Sequence, residues 1–135
     1  MRCYLDTSVL LTAVGGEHRD RAACLSFLAR ARTAGDMLTC SVEVVQEFAF
    51  HRLRRTSRAR ALEDTADVRR AVVLRDFDAE TLDLALELMA ATTLRGRDAL
   101  HAATARLAGL ELFVTLDRDF DAVPGLAAVH PASFA

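Results

Sequence analysis

The sequence has no lysine, so all 17 of its basic residues are arginine. Every cation can therefore make forked contacts to phosphate or carboxylate groups, although coding bias would also produce this usage. No apolar run reaches the roughly 18 residues that a membrane-spanning helix needs. The first apolar run is broken at Asp6, too early for a secretory signal. We therefore expect a cytoplasmic protein with no membrane partner.

Cysteine is scarce, and its spacing excludes a metal cluster. Cys3, Cys24 and Cys40 are an odd number without metal-type spacing, so we expect reduced, buried thiols. The sequence also lacks a glycine-rich phosphate loop, a Gly-x-Ser-x-Gly nucleophile motif and a Cys/His cluster. Chemistry that depends on any of these features is not supported.

Length and patterning predict one α/β domain over residues 1–135. Hydrophobic residues make up 52% of the chain, which favours a folded globule over disorder. Short apolar strands are predicted at residues 1–5, 37–40, 72–74, 110–115 and 127–130. They alternate with helices predicted at residues 8–14, 20–34, 41–54, 59–70, 79–91 and 98–108. This alternation is typical of a parallel sheet covered on both faces.

The apolar spacing also predicts which helix faces pack inward, and three helices are informative. In the helix predicted at residues 41–54, the inner face is Val42, Val45, Ala49 and Leu53. In the helix at residues 79–91 it is Leu82, Ala85, Leu86 and Met89, and in the helix at residues 98–108 it is Leu100, Ala103 and Leu107.

Four acids stand at element boundaries or on helix borders. Asp6 directly follows the first strand, and Asp117 follows the strand that ends at Thr115. Asp98 lies at a helix start, and Glu47 lies inside the helix that Ser41 is expected to cap. Ligands of α/β sheets sit at the carboxyl ends of strands, so these acids can converge there.

Each acid also has an ordinary explanation. Asp6 and Asp98 could be helix N-caps, although Thr7 or Ser8 is expected to cap the first helix. Glu47 could be a solvated helix residue. Asp117 and Asp119 could form a turn. These explanations do not account for acids that recur at similar boundaries.

Converging carboxylates need a counter-charge, because each raises the pKa of the others. Mg²⁺ or Mn²⁺ is the usual solution, since all-oxygen ligands select these ions over zinc. Such a site hydrolyses phosphodiester bonds. Thr115 would face the same side as Asp117 and could hold an acid or a water. His101 is interpreted as a surface or packing residue rather than a base.

At these residues the chain resembles the PIN-domain family and, within it, the VapC-type toxins of bacterial toxin–antitoxin pairs. The matching segments are residues 4–10, Ser41 with Glu47, residues 97–103 and residues 114–120, in the family's order. The resemblance implies a PIN-like three-layer α/β/α sandwich with a central, mainly parallel sheet. It also implies an endoribonuclease toxin that depends on Mg²⁺ or Mn²⁺.

The resemblance implies site residues as well. The implied catalytic acids are Asp6, Glu47, Asp98 and Asp117, of which Asp6, Asp98 and Asp117 would hold the metal. Thr115 and Asp119 would support them.

The implied partners are an RNA substrate, a second copy in a homodimer and a VapB-type antitoxin, which would also carry the DNA binding. Substrate choice stays open, because residues 52–74 match nothing specific. A basic stretch there supplies candidate RNA contacts, with a solvated basic face as the alternative: Arg52, Arg54, Arg55, Arg58 and Arg60. Two other functions also stay open: a catalytically silent PIN-like scaffold that binds RNA or protein, and a housekeeping RNA-processing nuclease.

Overall fold

A computed structural model describes residues 1–134 and contains one sheet of five parallel strands. The strands are β1 (Arg2–Leu5), β2 (Met37–Ser41), β3 (Val73–Arg75), β4 (Leu112–Val114) and β5 (Ala128–Val129). Their order is β3-β2-β1-β4-β5, with every neighbouring pair parallel. Because the strands all run the same way, their carboxyl ends form one edge of the sheet, which carries the site described below.

Helices flank this sheet and complete an α/β/α arrangement. They are α1 (Thr7–Val14), α2 (Arg21–Ala34), α3 (Val42–Arg55), α4 (Arg58–Ala71), α5 (Ala79–Ala91) and α6 (Gly96–Leu107). Two short 3-10 helices cover Arg118–Phe120 and Pro131–Phe134. The expected parallel α/β fold is confirmed. Within residues 1–134, no helix combines the length and the apolar character needed to cross a membrane.

Local capping explains where several helices begin and end. Ser41 caps α3 as predicted, since its Oγ accepts a hydrogen bond from the Val44 N–H at 3.3 Å. Asp78 caps α5 in the same way through the Thr81 N–H, at 2.9 Å. Helix α2 ends at Gly35, whose φ of 72° lies in the left-handed region that glycine adopts without steric cost.

The core is organised around β1, the middle strand. Tyr4 is fully buried and stacks on Phe113 of β4, with ring centroids 5.1 Å apart and planes 4° apart. Phe113 in turn contacts Phe120, at a centroid distance of 4.5 Å. This aromatic column fixes the Tyr4 ring below the carboxyl edge of the sheet.

The three cysteines are buried and unpaired, as expected from the sequence. Burial raises the pKa of the Cys3 and Cys24 thiols to about 11 and that of Cys40 to about 12. All three therefore stay protonated at neutral pH and act as small apolar core residues.

The inner face predicted for α3 is partly wrong, because Val45 packs against the core as predicted but Leu53 does not. Val44 and Phe48 are the fully buried residues of this helix, whereas Leu53 is 38% exposed. Helix α3 carries two neighbouring apolar stripes, so periodicity did not decide between them. The stripe with the large Phe48 ring packs inward, because it removes more apolar surface from water.

The predicted faces of α5 and α6 are also partly wrong. In α5, Ala85 is buried as predicted, but Leu82 and Leu86 are 43% and 53% exposed. In α6, Leu100 and Ala103 are buried as predicted, whereas Leu107 is 44% exposed. The buried residues of α6 are mostly alanine, and α5 buries Leu88, which the predicted face did not include, in place of Leu82 and Leu86. Apolar side chains are left on the outside as a result.

The corrected face of α3 predicts unequal effects of two substitutions in one helix. Phe48→Ala should lower the free energy of unfolding by about 3–5 kcal/mol, because it opens a cavity in the core. Leu53→Ala, the matched control, should cost less than about 1 kcal/mol. Urea denaturation followed by circular dichroism measures both. Equal losses would mean that Leu53 also packs in the core.

Candidate active site

Asp6 leaves β1 at the carboxyl edge of the sheet and is only 7% exposed. It occupies the N-cap position of α1 without making a capping hydrogen bond. Its Oδ2 instead accepts hydrogen bonds from Ser8 Oγ and Thr115 Oγ1, both at 2.8 Å. The expectation that Thr7 or Ser8 caps α1 is therefore wrong: Thr7 begins the helix, and Ser8 donates to the acid.

Thr115 joins Asp6 to Asp117. Its Oγ1 donates to Asp6 and accepts a hydrogen bond from the Asp117 N–H at 3.0 Å. Asp117 Oδ1 accepts from the Asp119 N–H at 2.9 Å, so Asp117 also shapes the turn, as its ordinary explanation held. The Asp119 side chain is exposed, and its backbone N–H makes this contact.

Glu47 reaches the same edge from the second turn of α3. Its Oε2 accepts a hydrogen bond from Thr7 Oγ1 at 3.1 Å and lies 3.8 Å from His101 Nε2. Its Oε1 lies 3.4 Å from Arg97 Nη1 and 3.8 Å from His51 Nε2. These contacts exclude the explanation that Glu47 is merely a solvated helix residue.

These neighbours hold the pKa of the Glu47 carboxyl below its ordinary value. His101 contributes most, followed by the Thr7 hydroxyl, while partial burial opposes the shift; Arg97 acts in the same direction as His101. Glu47 is therefore ionised at neutral pH.

Asp98 lies in the first turn of α6 and does not occupy its N-cap position. The pKa of its carboxyl is raised, first by burial and then by the charges of Asp6 and Asp117. Glu47 raises it further, and His101 opposes the increase. The four acids predicted from the sequence thus act on one another electrostatically.

The carboxylates differ in their counter-charges. Every arginine or histidine contact with the acids of the site is made to Glu47; within residues 1–134, no arginine or histidine lies within ion-pairing distance of Asp6, Asp98 or Asp117. Hard oxygen donors without a cationic side chain suit a divalent cation such as Mg²⁺.

The oxygen donors of these acids suit a divalent cation, but the positions of their side chains suit it less well. Across the described residues, no three His, Cys, Asp or Glu side chains are placed to hold a metal ion together. Carboxylates without a counter-charge repel one another. A cation bound by these acids would have to draw them closer.

The basic stretch divides into two groups. Asp64 is buried between α3 and α4, where its Oδ2 pairs with Arg52 and its Oδ1 with Arg60, at 3.2 and 3.1 Å. Arg52, which belongs to α3, therefore joins the two helices, whereas Arg60 lies one turn before Asp64 on α4 itself and is 63% exposed. The other candidates have exposed side chains: Arg54, Arg55 and Arg58.

The contacts of Thr7, Ser8, Arg97 and His101 were not predicted from the sequence. A signal was present, since two hydroxyl residues directly follow Asp6, and Arg97 and His101 lie four residues apart on either side of Asp98. The partner of Thr7, Arg97 and His101 is Glu47, which is at least 40 residues away, so only the folded chain identifies these contacts.

Comparison with known proteins identifies the family of the chain. The PIN domain family model matches residues 3–126. Ribonuclease VapC13 of Mycobacterium tuberculosis and a VapC ribonuclease of Mycobacterium bovis are each 29% identical to the chain over 125 residues. The alignments cover 90% of this chain and 95% of each relative.

Solved structures share the fold. The crystal structure of VapBC2 from Rickettsia felis bound to a promoter DNA fragment superposes with a TM-score of 0.76 at 18% identity, covering 96% of this chain and 98% of that chain. M. tuberculosis VapC20, described as a sarcin-ricin loop cleaving toxin, gives a TM-score of 0.74 at 20% identity, covering 94% and 98%. These similarities confirm the PIN-like α/β/α fold.

The opposite pKa shifts of Asp98 and Glu47 predict opposite effects on stability. Asp98→Asn should raise the melting temperature at neutral pH, because it removes a carboxylate whose ionisation is unfavourable in the folded protein. The gain should vanish below the ordinary pKa of 3.8, where Asp98 is protonated in the folded and unfolded states alike.

Glu47→Gln is the matched control and should lower the melting temperature at neutral pH. The lowered pKa of Glu47 stabilises the fold above its ordinary value of 4.5, and this contribution is lost as the pH falls through the folded pKa. Thermal denaturation of both variants from acidic to neutral pH, without divalent ions, measures the two effects. Changes of the same sign would contradict the charge distribution described here.

Proposed function

Because the chain belongs to the PIN domain family, we propose that it is a Mg²⁺- or Mn²⁺-dependent endoribonuclease and the toxin of a VapBC-type pair. One observation carries the proposal: Thr115 joins Asp6 to Asp117 at the carboxyl edge of the sheet, and the charges of these two acids add to burial in raising the pKa of the Asp98 carboxyl. The names of the two mycobacterial ribonucleases support the choice of RNA as substrate.

In this proposal Asp6, Asp98 and Asp117 hold the divalent cation. When bound, the cation supplies Lewis acidity that activates water and offsets charge developing on the phosphate. Ser8 and Thr115 orient Asp6 through Oδ2.

Glu47 has a different task in the proposal. It is ionised and held by Thr7, so it accepts a hydrogen bond from the attacking water and orients that water. The Asp119 backbone N–H supports Asp117 at the other end of the site.

The proposed partners are a VapB-type antitoxin and a second copy of this chain. The VapBC complex from R. felis with promoter DNA, and a toxin–antitoxin complex from Klebsiella pneumoniae, support an antitoxin partner that mediates any contact with DNA. A groove of about 820 Å³ lined in part by Leu10, Leu28 and Val68 offers an apolar surface for an antitoxin segment. Exposed Leu82 and Leu86 on α5 favour burial between two copies.

The activity is tested by incubating purified protein with total cellular RNA in Mg²⁺, in Mn²⁺ and in chelator. Wild-type protein should make discrete cuts only with metal, and Asp6→Asn should make none, because it loses a ligand charge. Asp83→Asn, which neutralises an exposed acid on α5, is the matched control and should cut like wild type.

Folded, antitoxin-free protein that makes no metal-dependent cuts would contradict the nuclease proposal and favour a binding scaffold. Discrete cutting without growth arrest on expression would instead favour a housekeeping nuclease. Both metals should also raise the wild-type melting temperature, since they bind the folded state.

A further prediction concerns the exposed part of the basic stretch. Replacing Arg54, Arg55 and Arg58 by Ala should raise the KM for RNA, because contacts to phosphates are lost. The slope of log kcat/KM against log salt should become shallower by about 0.7 for each lost phosphate contact. Steady-state cleavage across a salt series measures this.

The matched control removes three exposed arginines elsewhere and so changes net charge equally: Arg19, Arg69 and Arg70. It should leave the salt dependence near that of wild type. Equal cleavage by both triple variants at every salt concentration would eliminate the basic stretch as an RNA contact.

A further inference from the structure

His101 is a buried histidine whose two ring nitrogens have unequal surroundings. It is 1% exposed and lies on α6, facing the ends of β1 and β2. Its Nδ1 is 2.8 Å from the Tyr4 hydroxyl and 3.4 Å from Ser41 Oγ. Its Nε2 has no hydrogen-bond partner within residues 1–134 and points at Glu47, with 3.8 Å between Nε2 and Oε2.

The surrounding hydrogen bonds determine which nitrogen carries the proton. The Ser41 N–H donates to the Tyr4 hydroxyl oxygen at 3.2 Å, so that oxygen already has a donor. The Tyr4 hydroxyl is fully buried and still has its own proton to donate. That proton is directed to His101 Nδ1, which must then be an acceptor. The imidazole proton therefore resides on Nε2, facing Glu47.

The group that imposes this tautomer is rigid. Tyr4 belongs to the middle strand of the sheet, is fully buried and stacks on Phe113. Ser41 ends the neighbouring strand and caps α3, the helix that carries Glu47. Ser41 thus contributes to both features, because its N–H donates to the Tyr4 hydroxyl and its Oγ caps the helix that presents the acid.

We propose that His101 is a positioning residue for Glu47. It acts as a neutral imidazole that donates its Nε2 proton to Oε2, the oxygen that Thr7 also contacts. A shift of about 1 Å brings the 3.8 Å separation to ordinary hydrogen-bond length. This inference rests on the proposed function, because Glu47 orients the attacking water there. It assigns His101 no proton transfer to or from the substrate.

Two amide substitutions at His101 separate positioning from simple packing. The Gln amide nitrogen reaches the place of Nε2 and can still donate to Glu47. The Asn amide reaches only the place of Nδ1, so it satisfies Tyr4 but not Glu47. His101→Asn should lower kcat for RNA cleavage by about 10- to 100-fold, as is typical for residues that orient a functional group, with KM little changed. His101→Gln should lose less than His101→Asn.

A purely structural role for His101 predicts the reverse order, because Asn is the variant that keeps the buried partner of Tyr4. His101→Asn that is as active as His101→Gln, or more active, would overturn the proposal. Melting temperatures of both variants show whether loss of the fold accounts for any loss of rate.

Nuclear magnetic resonance of the ¹⁵N-labelled histidine rings tests the contact without any assay of cleavage. Wild-type protein should show His101 protonated on Nε2 alone, and this N–H resonance should shift in Glu47→Gln. Tyr4→Phe, which removes the hydroxyl but keeps the ring, should weaken the preference for this tautomer. The inference would be overturned if the ring carried a proton on Nδ1 or on both nitrogens. It would also be overturned if the Nε2–H resonance were the same in wild type and in Glu47→Gln.

Failure of the proposed function and failure of the role of His101 give different results in the cleavage assay and in the resonance measurement. Wild-type protein that cuts no RNA would refute the proposed function, and the ring nitrogen resonances would then decide the contact alone. Wild-type protein that cuts RNA, together with His101→Asn that cuts equally well, would refute only the role of His101.

Discussion

The hydrogen bond from Thr115 Oγ1 to Asp6 Oδ2 joins two strand ends that are 109 residues apart in the sequence. The same hydroxyl accepts from the Asp117 N–H, and Ser8 adds a second connection by accepting from the Leu116 N–H at 3.2 Å. Two hydroxyl groups thereby hold the ends of β1 and β4 as one unit. Because parallel strands share a carboxyl edge, this unit determines where Asp6 and Asp117 stand relative to α3 and α6.

Charge is distributed unevenly across this edge. Glu47 has Thr7, Arg97 and two histidines around it, and its pKa is lowered. Asp98 has no cationic partner among the described residues. Burial and the charges of its acidic neighbours raise the pKa of its carboxyl. Environments that separate the pKa values of neighbouring acids are characteristic of sites where carboxylates have different tasks. Because of this asymmetry, we assign metal binding to Asp6, Asp98 and Asp117 and orientation of the attacking water to Glu47.

The aromatic core and the acidic edge are connected through one buried imidazole. Phe113 supports Tyr4 by stacking, Tyr4 faces His101, and His101 faces Glu47. Packing inside the protein can therefore influence the orientation of an acid at its surface. The basic stretch shows a comparable division, since Arg52 joins α3 to α4 through Asp64 while the remaining arginines of the stretch stay exposed.

The sequence by itself determined the alternation of strands and helices, the capping of α3 by Ser41 and the position of acids at element boundaries. These depend on local propensity and on the spacing of apolar residues, which a single segment carries. Only the tertiary structure decided that Phe48 rather than Leu53 packs inward, and that Thr7, Ser8 and His101 face carboxylates. Apart from the Ser8–Asp6 contact, each such choice is settled by a partner distant in the chain, because two apolar stripes or two hydrogen-bond partners are nearly equivalent until the sheet brings one of them into contact.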